Sequence, residues 1–184
     1  MICLLCVSLN AILRILFRRS AMSVIIRIAA ANDIPRLAEL WHEKMVLLQQ
    51  TDMRFVIPND PISRWSQAMS EWLQDNRCAI YLAESQHLVV GYVIGWLQFA
   101  PFLLFDRTGA IGDVTVGVIS EIVLDTHSYH AGVARTLLQT IRGWFAEQGV
   151  ENVVAYVPHN YAVEQAFWRS VGATQLVDVM WIKS

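Results

Sequence analysis

One carboxylate stands in an otherwise apolar run, Val118-Ile119-Ser120-Glu121-Ile122-Val123-Leu124. Burial among aliphatic neighbours penalises the charge, and a carboxyl titrating nearer neutral pH suits a general base. Strand alternation puts Glu121 on one face with Ile119 and Val123. The plainer reading is a solvated or ion-paired strand residue. Downstream comes Tyr129-His130-Ala131-Gly132-Val133-Ala134-Arg135, where small residues open a helix. Gly132 and Ala134 leave room for a ligand to approach the backbone. The free N–H groups of a first helical turn, with the helix dipole, favour an anion such as phosphate or pyrophosphate. Arg135 adds a mobile positive charge. The stretch lacks the Gly-Lys-Ser/Thr ending of a nucleotide P-loop. It also lacks the first glycine and the acidic strand end of a dinucleotide fingerprint. Taken alone, it is equally consistent with plain helix–sheet packing.

The elements that must position these residues follow from periodicity. Residues 24–29 predict a strand. Asn32 and Asp33 are cap residues and Pro35 suits a first helical turn. Ile34, Leu37, Leu40, Trp41 and Leu48 then recur at helical spacing to about residue 50. Asp60-Pro61 opens a second helix with Ile62, Trp65, Met69, Trp72 and Leu73 on one face, and 51–59 is a loop beside which a substrate channel could form. Strands 78–83 and 88–97, joined by the polar turn 84–87, predict an antiparallel hairpin. An irregular stretch, 98–113, precedes a strand over 115–125. A helix over 131–148 ends at Gly149, a strand covers 152–157, a helix covers 162–171 before Gly172, and 175–182 is a last strand. The order β, α, α, β, β, β, α, β, α, β predicts a mixed α/β sheet, parallel near its C-terminal end and antiparallel elsewhere, with helices on its faces.

Bulk composition narrows the class. The chain has 184 residues, 55% hydrophobic and 16% charged, which argues against global disorder and against two enzyme domains. Without repeat or linker, residues 22–184 are expected to form one domain. The net charge of −2 gives no basic excess for nucleic acid. Residues 1–21 carry Arg14, Arg18 and Arg19 and no acid, so 22–184 holds 11 basic against 16 acidic residues, or −5. Cys3, Cys6 and Cys78 form neither a zinc pattern nor a disulfide framework, and Cys78 reads as a buried structural thiol. The apolar, then basic, opening run is broken by Asn10 and Arg14 and is short for a membrane span. Its alternatives are an extension upstream of a start at Met22, a surface or partner-packing helix, or an anchor.

Residues 119–149 resemble the acetyl-CoA-binding segment of the GNAT N-acetyltransferases. In that family a strand precedes a loop of the form Arg/Gln-x-x-Gly-x-Gly/Ala and a Leu-containing helix. Here the loop runs from Tyr129 to Ala134, and Leu137-Leu138 follow. Tyr156-Val157-Pro158-His159-Asn160 and Ala166-Phe167-Trp168-Arg169-Ser170-Val171-Gly172-Ala173 are similar to the family's closing strand, Asn, helix, aromatic and Gly. The resemblance spans about 24–182. It implies a GNAT-like acyl-CoA N-acyltransferase fold with a mostly antiparallel central sheet, and acetyl transfer from acetyl-CoA to a primary amine by direct attack in a ternary complex, without a metal.

By that resemblance, backbone groups of Ile122, Val123 and Leu124 pair with the pantetheine arm. The N–H groups of Tyr129, His130, Ala131, Gly132, Val133 and Ala134 hold the pyrophosphate beside Arg135. Asn160, Phe167 and Trp168 line the thiol end. Glu121 is the candidate base, and the Leu124 N–H is a candidate oxyanion donor. Two residues depart from the pattern. Tyr129 stands where the family has Arg or Gln, and Trp168 stands where many members carry the Tyr that protonates the leaving thiolate. Indole has no useful acidity, so Tyr161 or a water takes that part, or no acid is needed.

His127, His130 and His159 read as loop residues near the motifs, Asp125 as a strand-end turn residue, and Trp41, Trp65 and Trp72 as core. Asp52, Arg54 and Tyr92 border the acceptor site by position in the fold. The acceptor is a small-molecule or peptide amine, and the acidic balance slightly favours a cationic one. A cytoplasmic protein, no nucleic-acid or membrane partner, and a homodimer by family habit are expected. The competing readings are a catalytically silent acyl-CoA-binding or regulatory domain, and the same fold carrying another phosphate-bearing ligand.

Overall fold

The computed structural model describes residues 24–99, 115–127, 132–176 and 178–182. The expectations for residues 1–21, for the irregular stretch beyond residue 99, and for Tyr129, His130 and Ala131 lie outside that set. Five strands form one sheet in the order β1 (Val24–Ile28), β2 (Cys78–Ser85), β3 (Leu88–Phe99), β4 (Thr115–Leu124) and β5 (Val153–Ala155). The first three pairings are antiparallel and β4–β5 is parallel. The helices are α1 (Ile34–Thr51), α2 (Pro61–Trp72), α3 (Val133–Glu147) and α4 (Ala162–Ser170). The mixed, mostly antiparallel sheet expected from the element order is present. Among the described residues, no helix is long and apolar enough to cross a membrane.

The two faces of β3 divide the core, and a register shift against β2, which leaves Val90 without a partner there, takes Val90 out of phase with Tyr92 and Ile94. Tyr92 and Ile94 join Ile80, Leu82 and Val123 beneath α1 and α2, with Leu37, Leu40, Trp65 and Met69. Val90 and Val93 join Ile119 and Ile122 on the opposite face, beneath Leu137, Ile141 and Phe145 of α3 and Trp168 of α4. Trp41, Trp65 and Trp72 are core residues as expected: Trp41 stacks on Trp65 with centroids 5.8 Å apart, and Trp65 meets Tyr92 at 6.0 Å. The β2–β3 hairpin closes through Gln86 and His87, at φ 51° and 65°, the handedness that matches strand twist in a two-residue turn. Pro35 lies in the first turn of α1. Asp33 makes no side-chain bond to α1. It turns back, accepting from Arg27 (2.8 Å) and from the Ala30 N–H (2.8 Å), and so ties β1 to the start of the helix. Cys78 is a half-buried free thiol, pushed up to about 12 mainly by burial, with Asp75 adding to the shift.

The predicted strand over 175–182 is not formed. Residues 173–176 and 178–182 have no regular structure, and Leu176, Val179, Met180, Trp181 and Ile182 are exposed. Strand propensity alone cannot hold a strand, because its backbone groups need a neighbour. Among the described residues no strand lies on the edge of β5 away from β4.

Gly95 and Gly117 let α3 sit close to the sheet. A Cβ on Gly117 would lie 2.8 Å from two ring atoms of the fully buried Phe145. Gly117→Val is therefore expected to destabilise by about 1–3 kcal/mol through overpacking. Gly143, in α3 with open space around it, is expected to show the opposite sign: Gly143→Ala should stabilise by about 0.5–1 kcal/mol. Urea midpoints of the two variants check both signs.

Candidate active site

β4 carries one residue more than β3 across their pairing. Ile94 faces Glu121, Gly95 faces Ile119, and Ser120 has no partner between them. Such a bulge breaks the period of two. Val116 and Val118 lie on the side of Trp96, and Ile119 faces the α3 layer. Glu121 and Val123 then return to the side of α1, where Val123 is buried and Glu121 meets Tyr92. The expectation that Glu121 shares a face with Ile119 is thus corrected, and the unpaired Ser120 is the reason. Its neighbour Val123 does lie on the face expected.

On that side the Tyr92 hydroxyl donates to Glu121 Oε1 at 3.0 Å. Burial pushes the Glu121 carboxyl up to about 7. The Lys44 ammonium and the Tyr92 bond pull it back, and Glu164 pushes it further up. Tyr92 is held well above its ordinary value, by burial first and by Glu121 second, so it remains a donor. Glu121 combines a partly exposed residue surface with a carboxyl enclosed by protein.

β5 ends at Ala155, opposite Ile119, whereas β4 continues to Leu124. The last contact between them is Tyr156 N–H to Ile119 O at 3.4 Å. Beyond it the two chains part. Asp125 N–H donates to Val90 O, and alternation therefore turns Val123 toward β3 and leaves Ile122 and Leu124 directed into the gap. Two of the three residues expected at an open strand edge lie there, and the Val123 backbone faces the ladder instead. Lys44 reaches across this gap from α1. Its ammonium lies 2.9 Å from Glu164 Oε1 on α4 and 3.4 Å from Ile122 O. Both side chains are largely buried, and Glu164 Oε2 has no partner among the described residues.

At the start of α3, Gly132 is the N-cap at φ 85°, and a Cβ there would meet nothing within 4 Å. Its carbonyl accepts from Thr136 N–H. Val133 is buried, Ala134 is half-buried, and Arg135 reaches the Ser170 hydroxyl of α4 at 3.4 Å. Trp168 is buried, with its indole N–H lacking an acceptor among the described residues, and it meets Phe167 edge-on at 5.4 Å. Tyr161 precedes α4. Its hydroxyl is held above its ordinary value by burial and then by Glu164. Asn160 bonds Asp52 Oδ2 at 3.2 Å, away from Phe167 and Trp168 in hydrogen bonding, and Asp52 pairs with Arg54. The Asp52 carboxyl lies well below the usual range, chiefly because of Arg54. Asp125 caps the strand end, accepting from His127 N–H.

The structure therefore gathers Glu121, Tyr92, Ile122, Leu124 and α4 about one gap. Sequence reasoning missed Lys44 and Glu164. Their only signal was a pair of opposite charges on half-buried helices 120 positions apart. That separation is visible only once the fold is known.

The family described as Acetyltransferase (GNAT) family has a model that matches residues 35–173. No curated protein matches the chain by sequence. Among solved structures, the chain is similar to a tetramutant of the BH1408 protein from Bacillus halodurans, at 16% identity and TM-score 0.74, over 87% of this chain and 99% of that one. It is also similar to a ribosomal-protein-alanine N-acetyltransferase from Brucella melitensis biovar Abortus 2308, at 16% identity and TM-score 0.63, over 88% and 99%. A third is the aminoglycoside N-acetyltransferase AAC(6')-Iy in complex with CoA, at 16% identity and TM-score 0.63, over 88% and 95%.

The raised Glu121 value has a stability consequence. Between about 4.5 and about 7 the folded chain keeps a proton that the unfolded chain has released. Stability from this group is thus full below the lower value and is lost as pH rises through the upper one. Glu121→Gln should gain stability relative to the parent across that window, by about 3 kcal/mol or less at pH 8. Urea titrations of both proteins at pH 4.5 and pH 8 check it. A difference independent of pH would contradict the buried carboxyl.

Proposed function

The chain belongs to the GNAT acetyltransferase family, and we propose that it transfers the acetyl group of acetyl-CoA to a primary amine by direct attack in a ternary complex. The observation that carries this reading is the Glu121 carboxyl, raised to about 7, one residue from a β4 edge that no strand covers among the described residues. The residues present fit the co-substrate. Ile122 and Leu124 direct backbone groups into the gap, where a pantetheine amide chain would add like half a strand. The open Gly132 and the first N–H groups of α3 suit a pyrophosphate. Arg135 lies close enough to help, and Phe167 with Trp168 would line the thiol end. Of the neighbours, the aminoglycoside enzyme holds CoA.

Acetyl-CoA supplies an activated thioester carbonyl. A lysine-like amine, with reference value ~10.4, is mostly protonated near neutral pH and cannot attack until it loses a proton. Glu121 accepts that proton, directly or through water, and Tyr92 holds the carboxylate oriented. The Leu124 N–H faces the gap and is the candidate donor to the developing oxyanion. Tyr161 and the Trp168 N–H are the groups available to the departing sulfur. The acceptor is a small-molecule or peptide amine, in keeping with neighbours named for aminoglycosides and for a ribosomal-protein alanine. The −5 balance of residues 22–184 and the Glu164 oxygen that has no partner among the described residues favour a cationic acceptor.

The silent acyl-CoA-binding reading also has an observation behind it. Trp168 offers no acid, and Tyr161 holds its proton more firmly than a free tyrosine. Calorimetric titration with acetyl-CoA, followed by turnover over an amine panel, separates the two: binding without turnover selects the silent domain, and no binding removes both. If the chain is an active transferase, its rate should rise with pH through a limb near 7. Glu121→Gln should lower kcat by about 10²–10⁴ and leave acetyl-CoA affinity nearly unchanged. Lys44→Gln removes the charge that favours the carboxylate and should move the limb upward by about one unit. A limb unmoved in Lys44→Gln, or undiminished rates in Glu121→Gln, would take the base out of the mechanism.

A further inference from the structure

Lys44 is the one lysine among the described residues, and the other, Lys183, lies outside them. Its stem rises from α1, yet its ammonium sits inside the protein, with the side chain only 13% exposed. It donates to Glu164 Oε1 at 2.9 Å and to Ile122 O at 3.4 Å. Ile122 belongs to the β4 edge that no strand covers among the described residues. Glu164, Phe167 and Trp168 stand at i, i+3 and i+4 on α4 and so share one face of that helix. The amine of Lys44 therefore lies between the open strand edge and the helix face that would line the thiol end of an acyl-CoA.

An ion pair so enclosed is a weak source of stability, because both charges give up their water to make it. Glu164 also keeps one oxygen, Oε2, buried and without a partner among the described residues. The same three groups are, however, the parts of a transfer site. Lys44 brings a primary amine, and Glu164 brings a carboxylate at 2.9 Å from it, within the reach a proton-accepting base needs. The Ile122 edge of β4 brings the place where the pantetheine arm would add.

We propose that Lys44 is an internal acetyl acceptor, modified from the chain's own bound acetyl-CoA when no other amine occupies the gap. The inference rests on the transferase reading above and adds a modification site to it. Glu164 Oε1 takes one proton from Lys44 Nζ along their hydrogen bond. The freed lone pair attacks the thioester carbonyl, so that the N–C bond forms and the C–S bond breaks with its electron pair leaving on sulfur. The second proton lost from nitrogen ends on that sulfur, which gives the free thiol of CoA and a neutral amide. Glu164 is left protonated, so two buried charges give way to none, and burial favours that outcome. The modification also removes the ammonium that favours the Glu121 carboxylate, and an acetylated Lys44 thus acts as a brake on transfer to other amines.

The test is intact-mass spectrometry and peptide mapping of the full chain incubated with acetyl-CoA and no added amine, beside calorimetric titration with acetyl-CoA. The expected result is a gain of about 42 Da on Lys44 and none on Lys183. Its first-order rate constant should saturate with acetyl-CoA and be independent of protein concentration, as for transfer within one molecule. Acetyl phosphate, which carries no CoA, should leave Lys44 unmodified. Lys44→Arg, which keeps the cation, should show no gain, and Glu164→Gln should slow the gain by about 10²-fold or more. Binding of acetyl-CoA with no gain on Lys44 overturns this proposal alone and leaves the transferase reading standing, whereas no binding overturns both. A rate constant that grows with protein concentration, equal labelling by acetyl phosphate, or an unslowed Glu164→Gln overturns the proposal as well. If Glu164→Gln loses its circular dichroism, the saturation and concentration dependence of the parent chain decide in its place.

Discussion

Ser120 finds no partner opposite it in β3, and that extra residue decides which layer receives Glu121. A strict period of two would send Glu121 into the layer of Ile119, Ile122 and α3, which is built almost wholly of apolar side chains. An unpaired charge there would cost several kcal/mol. The bulge moves it to the layer of Tyr92, where a hydroxyl meets it at 3.0 Å. The strand opposite accommodates the irregularity at Gly95, which also has no side chain to keep Ile141 and Phe145 away. One short region of β3 thus serves two ends: α3 seats closely, and β4 turns a polar residue across the sheet.

A second constraint acts on the other edge of β4. Because β5 stops at Ala155, backbone groups of β4 lie inside the protein without a ladder, and such groups need partners. Lys44 meets one of them at Ile122 O. An ammonium so enclosed needs a counter-charge, and Glu164 supplies it from the opposite face. For Glu121 these two neighbours act in opposite directions, the cation lowering and the anion raising its value. Desolvation is the largest cause, Lys44 is the larger of the two charged neighbours, and Glu164 the smaller. The Lys44–Glu164 pair spans the gap, and the Glu121 carboxyl beside it is raised first of all by its burial.

Most of the fold was legible because its signals are local. Periodicity marked the helices from Ile34, Pro61, Val133 and Ala162, and polar residues marked the turn between Cys78 and Phe99. Glu121 was legible as a lone carboxylate in an apolar strand, and Gly132 as a small residue at a helix start. Its neighbours were not. Ser120 carries no sign that it will go unpaired, since bulges arise from the fit of two strands and the helix above them. Lys44 and Glu164 look like ordinary helix charges until the gap brings them together. The run at 178–182 misled for the same reason in reverse: its residues favour a strand, but pairing is a property of the neighbour and not of the run.

The same distinction bears on the departing sulfur. A thiol titrates near 8.5, so a leaving thiolate at neutral pH needs stabilisation more than it needs a strong acid. Tyr161 is poorly placed energetically to give up a proton, since burial and Glu164 both hold it above the ordinary tyrosine value. Trp168 cannot give one, yet its buried N–H has no acceptor among the described residues, a state that costs about 1–3 kcal/mol while it lasts. An acceptor arriving with a ligand would recover that cost, and recover more as negative charge grows on it, because donors to charged atoms make the stronger bonds. On the proposed reaction, α4 would thus offer a hydrogen bond that strengthens as charge develops, in place of a proton that must be returned.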